Sequence, residues 1–525
     1  MNLNVTKRNF FVIPVIISLI IVLIVTLSNT FPFGWDIYAH INYSLAYLHD
    51  GITNVDYLLN APTGKSMGTP PLFHILLILT SFISNTNLID AARILQVILF
   101  VANVIVVCFI AKEVYDEKVG FFAGIILISS FMVTRMFLPI PETLALIFFM
   151  LSVLFYYKAL NELSYKYSIL TSLFSLLTLA THFSSFVYLM IMLSVLMVIN
   201  TIILRNLNAI EYYLYVIIPI FFLSLFALVV LFVLNTSILT QILSGAISIL
   251  NNPFDLFMGQ VAMGLERYIK CVGLLSLIFS VIGLYFSFKK KEFLFVSFWA
   301  LVAFVFSNLH WFGIPVYTFR LLIYLIIPMA LLGGYGFSNL LDTIKEKNLK
   351  LTKLLVGLLI ILSVLLCLVH INDSSFNVYS STTEQSTYQI APPTSEEVEV
   401  INFLKNEPIG NKSILINNLF LGTVISSIDE IPLHYGFDVY TNKSLSKSSL
   451  NSLNNEQIGY IVYDKSLIMN NTSDYEKLDV RYVNGSYYPS YYFTKEITDS
   501  NFNDIKLQAS EKIFENNRFI ICKVY

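Results

Sequence analysis

The stretch NFFVIPVIISLIIVLIVTL, residues 9–27, followed shortly by GWDIYAH, residues 34–40, decides the class of this chain. At 1.5 Å rise per residue the first run is long enough to cross a hydrocarbon core of about 30 Å. The second sets an acidic residue and a histidine four positions apart, on one face of a helix, where the chain has just left the bilayer. A charge held in or beside a bilayer is costly, so Asp36 and His40 are functional candidates by position. A helix-capping aspartate with an interfacial histidine would produce the same pattern.

The rest of the chain agrees with that class. Of 525 residues, 56% are hydrophobic and 13% charged, with mean hydropathy +0.72. Soluble proteins carry about 25% charged residues, so this is an α-helical polytopic membrane protein. A net charge of −2 gives no reason to expect nucleic acid as a partner. Cys108, Cys271, Cys367 and Cys522 form neither a CxxC metal motif nor a disulfide framework. Lys7 and Arg8 precede the first apolar run, but no small-x-small cleavage site follows it, so a retained helix is expected rather than a signal peptide.

Apolar length predicts about eleven spans, near 9–28, 91–111, 118–134, 141–158, 166–181, 183–204, 211–235, 268–287, 292–308, 319–340 and 353–371. The run from Pro71 to Ser84 is too short to cross and reads as a helix in the outer interface. Lysine and arginine then fix the orientation by the positive-inside rule. With the N-terminus inside, Lys7, Arg8, Lys112, Lys118, Lys158, Lys166, Arg205, Lys289, Lys290, Lys291, Lys345, Lys347, Lys350 and Lys353 are cytoplasmic. Only Lys65, Arg93, Arg135, Arg267, Lys270 and Arg320 fall outside. The expected organisation is a transmembrane region over 1–371 with a first outer loop near 29–90. A Ser/Thr/Pro-rich linker over 372–393 and an extracytoplasmic α/β domain over 394–525 follow. Thr394 and Glu397 have capping-box spacing, and the tail carries Asn-x-Ser/Thr sequons at Asn411, Asn442, Asn470, Asn471 and Asn484.

With the topology drawn, the ionisable residues gather at outer helix ends. Glu142, next to Pro141, opens the fourth span on the same side as Asp36. Dipole and φ preferences also suit a helix start there, yet two carboxylates from separate loops can share a divalent cation or divide base and electrostatic roles. Arg320 can snorkel to headgroups or grip a phosphate, and Arg135 is a second candidate for the same task. His182, His310 and Tyr317 stand at further outer helix ends.

Taken in order, these features resemble the GT-C superfamily, the polytopic glycosyltransferases that use polyprenyl-phosphate-linked sugars. The resemblance rests on Gly34-Trp35-Asp36 with His40, Pro70-Pro71-Leu72, Ala91-Ala92-Arg93, Glu142, and Arg320 followed by Gly333-Gly334-Tyr335-Gly336, over roughly residues 1–371. The Asp-x-x-x-His spacing is similar to that of oligosaccharyltransferase catalytic subunits, but the tail has no Trp-Trp-Asp motif. That points toward a monosaccharide transferase or an unassigned relative, distantly similar to the protein and lipid mannosyltransferases. The resemblance implies sugar transfer, inverting, from a polyprenyl-phosphate donor to a saccharide, lipid or protein acceptor at the outer face of the cell membrane. Asp36, His40 and Glu142 would be catalytic, and Arg320 and Arg135 would hold the donor phosphate. A divalent metal, Mg or Mn, would be held by Asp36 and Glu142. The rival is a lipid or saccharide transporter or flippase, which would place ionisable residues at mid-membrane.

Overall fold

The computed structural model describes residues 11–51, 53–234, 268–290, 293–314, 318–345, 348–371, 393–410, 412–416, 418–434, 458–465 and 510–524, with isolated positions between 236 and 265. Tyr317, residues 372–392 of the linker, and all five sequon asparagines lie outside them.

In chain order the elements begin with α1 (Val12–Leu27), α2 (Asp36–Asp50), β1 (Val55–Asp56), β2 (Lys65–Ser66) and α3 (Leu72–Ser84). Then come α4 (Leu88–Val114), α5 (Glu117–Ile128), a 3₁₀ turn (Phe131–Phe137), α6 (Pro141–Glu162), α7 (Tyr165–Thr181), α8 (Phe183–Ile202) and α9 (Asn208–Leu234). After these lie α10 (Tyr268–Val272), α11 (Leu274–Ser287), α12 (Leu294–Ser307), a second 3₁₀ turn (Leu309–Phe312), α13 (Thr318–Lys345) and α14 (Leu349–Ile371). The tail holds α15 (Ser395–Lys405), β3 (Ser413–Ile416), α16 (Leu419–Asp429), β4 (Leu433–His434), β5 (Ile458–Asp464), β6 (Ser510–Glu515) and β7 (Phe519–Val524). The chain forms two compact units. One comprises Met1–Thr30, Thr69–Phe73 and Arg93–Asn377, the other Phe31–Gly68, His74–Ala92 and Val378–Tyr525.

In the first unit, six helices among the described residues are long and apolar enough to cross a membrane, or seven if α5 and the bent turn after it form one span. About eleven spans were expected, and two of the expected segments are broken. The segment expected over 118–134 turns by 88° between α5 and the 3₁₀ turn. There the Ser129 hydroxyl donates to the Ile126 carbonyl at 2.6 Å and the Ser130 hydroxyl to the Cys271 carbonyl at 2.8 Å. Such hydroxyls offer the backbone an alternative to helical bonding. The segment expected over 268–287 breaks at Gly273, whose φ of +92° only glycine adopts readily. A Cβ there would stand 3.1 Å from the Ser129 carbonyl, so the two breaks lie against each other.

Helices α11 and α13 pack backbone to backbone. A Cβ on Gly283 would run into the Leu332 carbonyl, and one on Gly336 into the Phe279 carbonyl. Small residues permit this approach, and in a bilayer close packing is what drives helices together. Gly336→Ala is expected to cost about 1–3 kcal/mol through overpacking, read as a lower unfolding midpoint in detergent; an unchanged midpoint would disprove the close crossing. At the end of α1, Arg93 Nη2 donates to the Thr26 and Asn29 carbonyls at 3.0 and 2.9 Å. A cation there also suits the helix dipole.

In the second unit the tail forms a five-stranded sheet in the order β4-β3-β5-β7-β6. β3 runs parallel to β4 and β5, while β7 is antiparallel to β5 and β6. Thr394 and Glu397 make the reciprocal capping box at the start of α15. A single guanidinium ties the layers: Arg518 pairs with Asp464 at 2.7 Å and Glu397 at 3.2 Å, and both carboxylates are fully buried. Asn418 Nδ2 adds a 2.8 Å bond to Asp464, so the carboxylate on β5 is met by donors from two sides.

The loop after α1 belongs to this same unit and extends the sheet at its β4 edge. The Leu433 N–H donates to the Leu58 carbonyl at 2.7 Å, and the Ala61 N–H to the Leu433 carbonyl at 2.9 Å. Leu59 and Leu433 are both fully buried. His49 at the end of α2 meets Glu430 at 3.0 Å. Strand addition of this kind holds a segment by main-chain hydrogen bonds, and it fixes the loop that carries α2.

Candidate functional site

Asp36 and His40 lie in the second unit, on α2. Gly34 has φ +90°, a conformation other residues rarely adopt, and it turns the chain so that Asp36 becomes the first residue of the helix. Asp36 is half-buried and His40 is buried. With Tyr43 and Tyr47 they form one stripe along the helix, since positions 36, 40, 43 and 47 recur at helical spacing.

His40 has a partner the sequence did not disclose. Its Nδ1 lies 3.1 Å from Nε2 of His74, which is fully buried on α3. A nitrogen–nitrogen hydrogen bond needs one donor and one acceptor, so the two facing atoms share one proton. Tyr43 sits edge-on to both rings, with centroids 5.9 Å from His40 and 5.6 Å from His74, and Tyr47 is 5.7 Å from His74. This aromatic packing fixes the His40 ring one turn below Asp36.

The other candidates lie in the first unit. Arg135, in the 3₁₀ turn, and Glu142, in the first turn of α6, form a salt bridge. Nε and Nη2 both donate to Oε2, at 2.9 and 2.5 Å. Only 5% of the Arg135 side chain and 7% of that of Glu142 are exposed. Read from the sequence these residues had separate tasks; in the structure they form one pair. His182 and Arg320 also stand within electrostatic range of Glu142.

His182 caps α8. The backbone N–H of Ser185 donates to its Nδ1 at 3.3 Å, which makes Nδ1 an acceptor and puts the neutral ring's proton on Nε2. The Ser185 hydroxyl lies 2.6 Å from the same Nδ1 and 2.5 Å from the Tyr324 hydroxyl. With Nδ1 accepting, Ser185 donates to His182 and Tyr324 donates to Ser185. Tyr324 is on α13, one turn beyond Arg320, and packs against Tyr188 and Phe149 at 4.6 and 4.9 Å. The first-unit cluster thus comprises Arg135, Glu142, His182, Ser185, Arg320 and Tyr324. Its two guanidiniums outnumber its one carboxylate, which suits an anion. His310 lies on the second 3₁₀ turn with its ring 5.9 Å from that of Trp311. Tyr317 is outside the described residues.

The residues present do not make a ready metal site. Glu142 Oε2 is committed to Arg135, and among the described residues no group of three or more His, Cys, Asp and Glu could hold an ion. His74, Ser185 and Tyr324 had no signal in the sequence beyond their residue types. Their partners are 34 and 139 positions away.

No protein-family model matches the chain, and no curated protein is significantly similar to it in sequence. Solved structures do share its fold. The Archaeoglobus fulgidus oligosaccharyltransferase, in complex with zinc and sulfate, superposes with a TM-score of 0.62 at 11% identity, over 90% of this chain and 69% of that one. ArnT from Cupriavidus metallidurans, bound to undecaprenyl phosphate, gives a TM-score of 0.57 at 9% identity over 98% of both chains. The mycobacterial arabinofuranosyltransferase AftD gives 0.50 at 10% identity, over 87% of this chain and 37% of that one. The fold is therefore the GT-C fold that the order of motifs implied.

Proposed function

We propose that this protein is a membrane glycosyltransferase that moves a sugar from a polyprenyl-phosphate donor to an acceptor at the outer face, with inversion. The observation that carries this reading is the cluster of Arg135, Glu142, His182 and Arg320, half-buried around the buried Arg135–Glu142 pair and with an excess of positive charge, in a fold shared with lipid-phosphate-binding glycosyltransferases. ArnT was solved with undecaprenyl phosphate, and the Archaeoglobus oligosaccharyltransferase with a dolichol-phosphate and an inhibitory peptide. The charge bias of the loops supports the outer face.

In this reading Asp36 accepts the proton of the acceptor hydroxyl as that oxygen bonds to the anomeric carbon. The bond from that carbon to the donor phosphate breaks, and its electron pair leaves on the phosphate oxygen. Attack from the face opposite the phosphate inverts the centre. Arg320 and the Arg135 guanidinium neutralise the leaving phosphate. In a poorly hydrated site such donors act at greater strength than in water. His40, braced by His74, orients Asp36. Glu142 holds Arg135 in place, and no step passes through a metal.

The test is transfer of labelled sugar by the purified protein in lipid nanodiscs, supplied with polyprenyl-phosphate sugars and candidate acceptors. Release of polyprenyl phosphate with a glycosylated product is the expected result. Movement of intact lipid-linked sugar between leaflets without cleavage would instead identify a flippase.

A further inference from the structure

Tyr324 holds a place in α13 that the mechanism above does not use. The helix has two parts that are held differently. From Gly333 to Gly336 it is wedged between neighbours: a Cβ on Gly334 would stand 2.7 Å from the Ala123 nitrogen on α5, and one on Gly336 would run into the Phe279 carbonyl on α11. Backbone packed on backbone leaves that part little room to shift. Arg320 stands at the other end, in the first turn, and Pro328 lies between the two parts. Proline carries no N–H, so residue 328 cannot close the helical bond to the Tyr324 carbonyl. The turns that carry Arg320 are therefore joined to the wedged part less firmly than an unbroken ladder would join them.

Tyr324 holds those turns from the side. It is buried. Its hydroxyl donates to Ser185 Oγ at 2.5 Å, and Ser185 donates in turn to Nδ1 of His182 at 2.6 Å, so a chain of hydrogen bonds runs from α13 to the junction of α7 and α8. Its ring packs against Tyr188 on α8 and Phe149 on α6, with centroids 4.6 and 4.9 Å away. Tyr324 follows Arg320 by one helical turn and shares its face of α13, and Phe149 follows Glu142 by about two turns on α6. One side chain thus ties the helix that carries Arg320 to the two helices that begin at Glu142 and His182.

We propose that Tyr324, through Ser185, is a positioning residue for Arg320: it fixes the outer turns of α13 so that the guanidinium meets the donor phosphate. The inference rests on the reading of Arg320 as a ligand of that phosphate. Tyr324 acts through Arg320 and not on the phosphate itself, because its hydroxyl proton is committed to Ser185.

The test is the affinity of the full-length protein in nanodiscs for undecaprenyl phosphate, the lipid that ArnT binds, measured by titration calorimetry. Tyr324→Phe keeps the ring against Tyr188 and Phe149 and removes only the hydroxyl. It should raise the dissociation constant about 3–20-fold, the range of one hydrogen bond between membrane helices. Ser185→Ala breaks the same chain from α8 and should weaken binding by the same factor, and the double variant should lose no more than either single one. Arg320→Ala separates positioning from general support. With Arg135 left to bind the phosphate and the Arg320 guanidinium gone, adding Tyr324→Phe should change the affinity no further. Native affinity in Tyr324→Phe, or in Ser185→Ala if the first variant does not fold, overturns the proposal. An equal loss with and without Arg320 also overturns it, because the hydroxyl would then support the fold in general. A native protein that binds undecaprenyl phosphate but transfers no sugar sinks the transferase reading and leaves these affinities to decide the positioning. A native protein that does not bind this lipid overturns both the phosphate role of Arg320 and the positioning.

Discussion

Asp36→Asn lowers the rate of sugar transfer by about 10²–10⁴-fold, the usual contribution of a positioned general base, while binding of polyprenyl phosphate stays close to native. The substitution is chosen for shape. Asparagine fills the same volume at the first position of α2 and suits a helix start, so the turn at Gly34 survives. What it lacks is the capacity to take a proton from the acceptor hydroxyl. The loss should therefore fall on the chemical step, with the lipid-phosphate affinity read separately by titration calorimetry in nanodiscs. Weakened lipid binding with an unchanged single-turnover rate would mean that Asp36 belongs to donor binding. Native turnover would remove it from the chemistry altogether. His40→Phe should cost less, since a ring that orients the base can be lost without losing the base.

How far the sequence disclosed all this depended on the range of each interaction. Local signals were legible. Apolar length marked the membrane helices, Pro141 marked the start of α6, and the Thr394–Glu397 spacing marked the capping box at α15. Asp36 was placed at a helix start as a capping aspartate, and it is the first residue of α2. Breaks that depend on a tertiary partner were not legible. The bend after α5 uses a bond from Ser130 to the Cys271 carbonyl, and Gly273 yields at the same point. Hydropathy averages over both. The union of the first loop with the tail was equally hidden, because Leu58 and Ala61 meet Leu433 through backbone groups that every residue carries. The candidate site divides in the same way. Residue type and position selected Asp36, His40, Glu142, Arg135, His182 and Arg320. Only the folded chain gave His40 its partner His74, and turned two separate candidates, Arg135 and Glu142, into one ion pair.

That pair carries the second large expectation. Glu142→Gln leaves the Arg135 guanidinium almost wholly buried without its counter-charge, and breaking a buried pair from one side costs about 3–5 kcal/mol. The unfolding midpoint in detergent should fall well below that of the native protein. The double variant Arg135→Met/Glu142→Leu removes both charges, and replacing a buried pair by apolar side chains of similar volume is often neutral or stabilising. Its midpoint should recover most of the loss. Stability alone would then class the pair as a brace for the turn before α6. Transfer activity separates that role from donor binding, because the double variant restores the packing but not the positive charge. If Arg135 helps to neutralise the leaving phosphate, the double variant is stable and slow, with weakened affinity for polyprenyl phosphate. If its transfer rate returns together with its midpoint, the pair only supports the fold and Arg320 carries the phosphate without it. A midpoint unchanged by Glu142→Gln would contradict the buried salt bridge itself, since an unpaired guanidinium at that depth cannot be without cost.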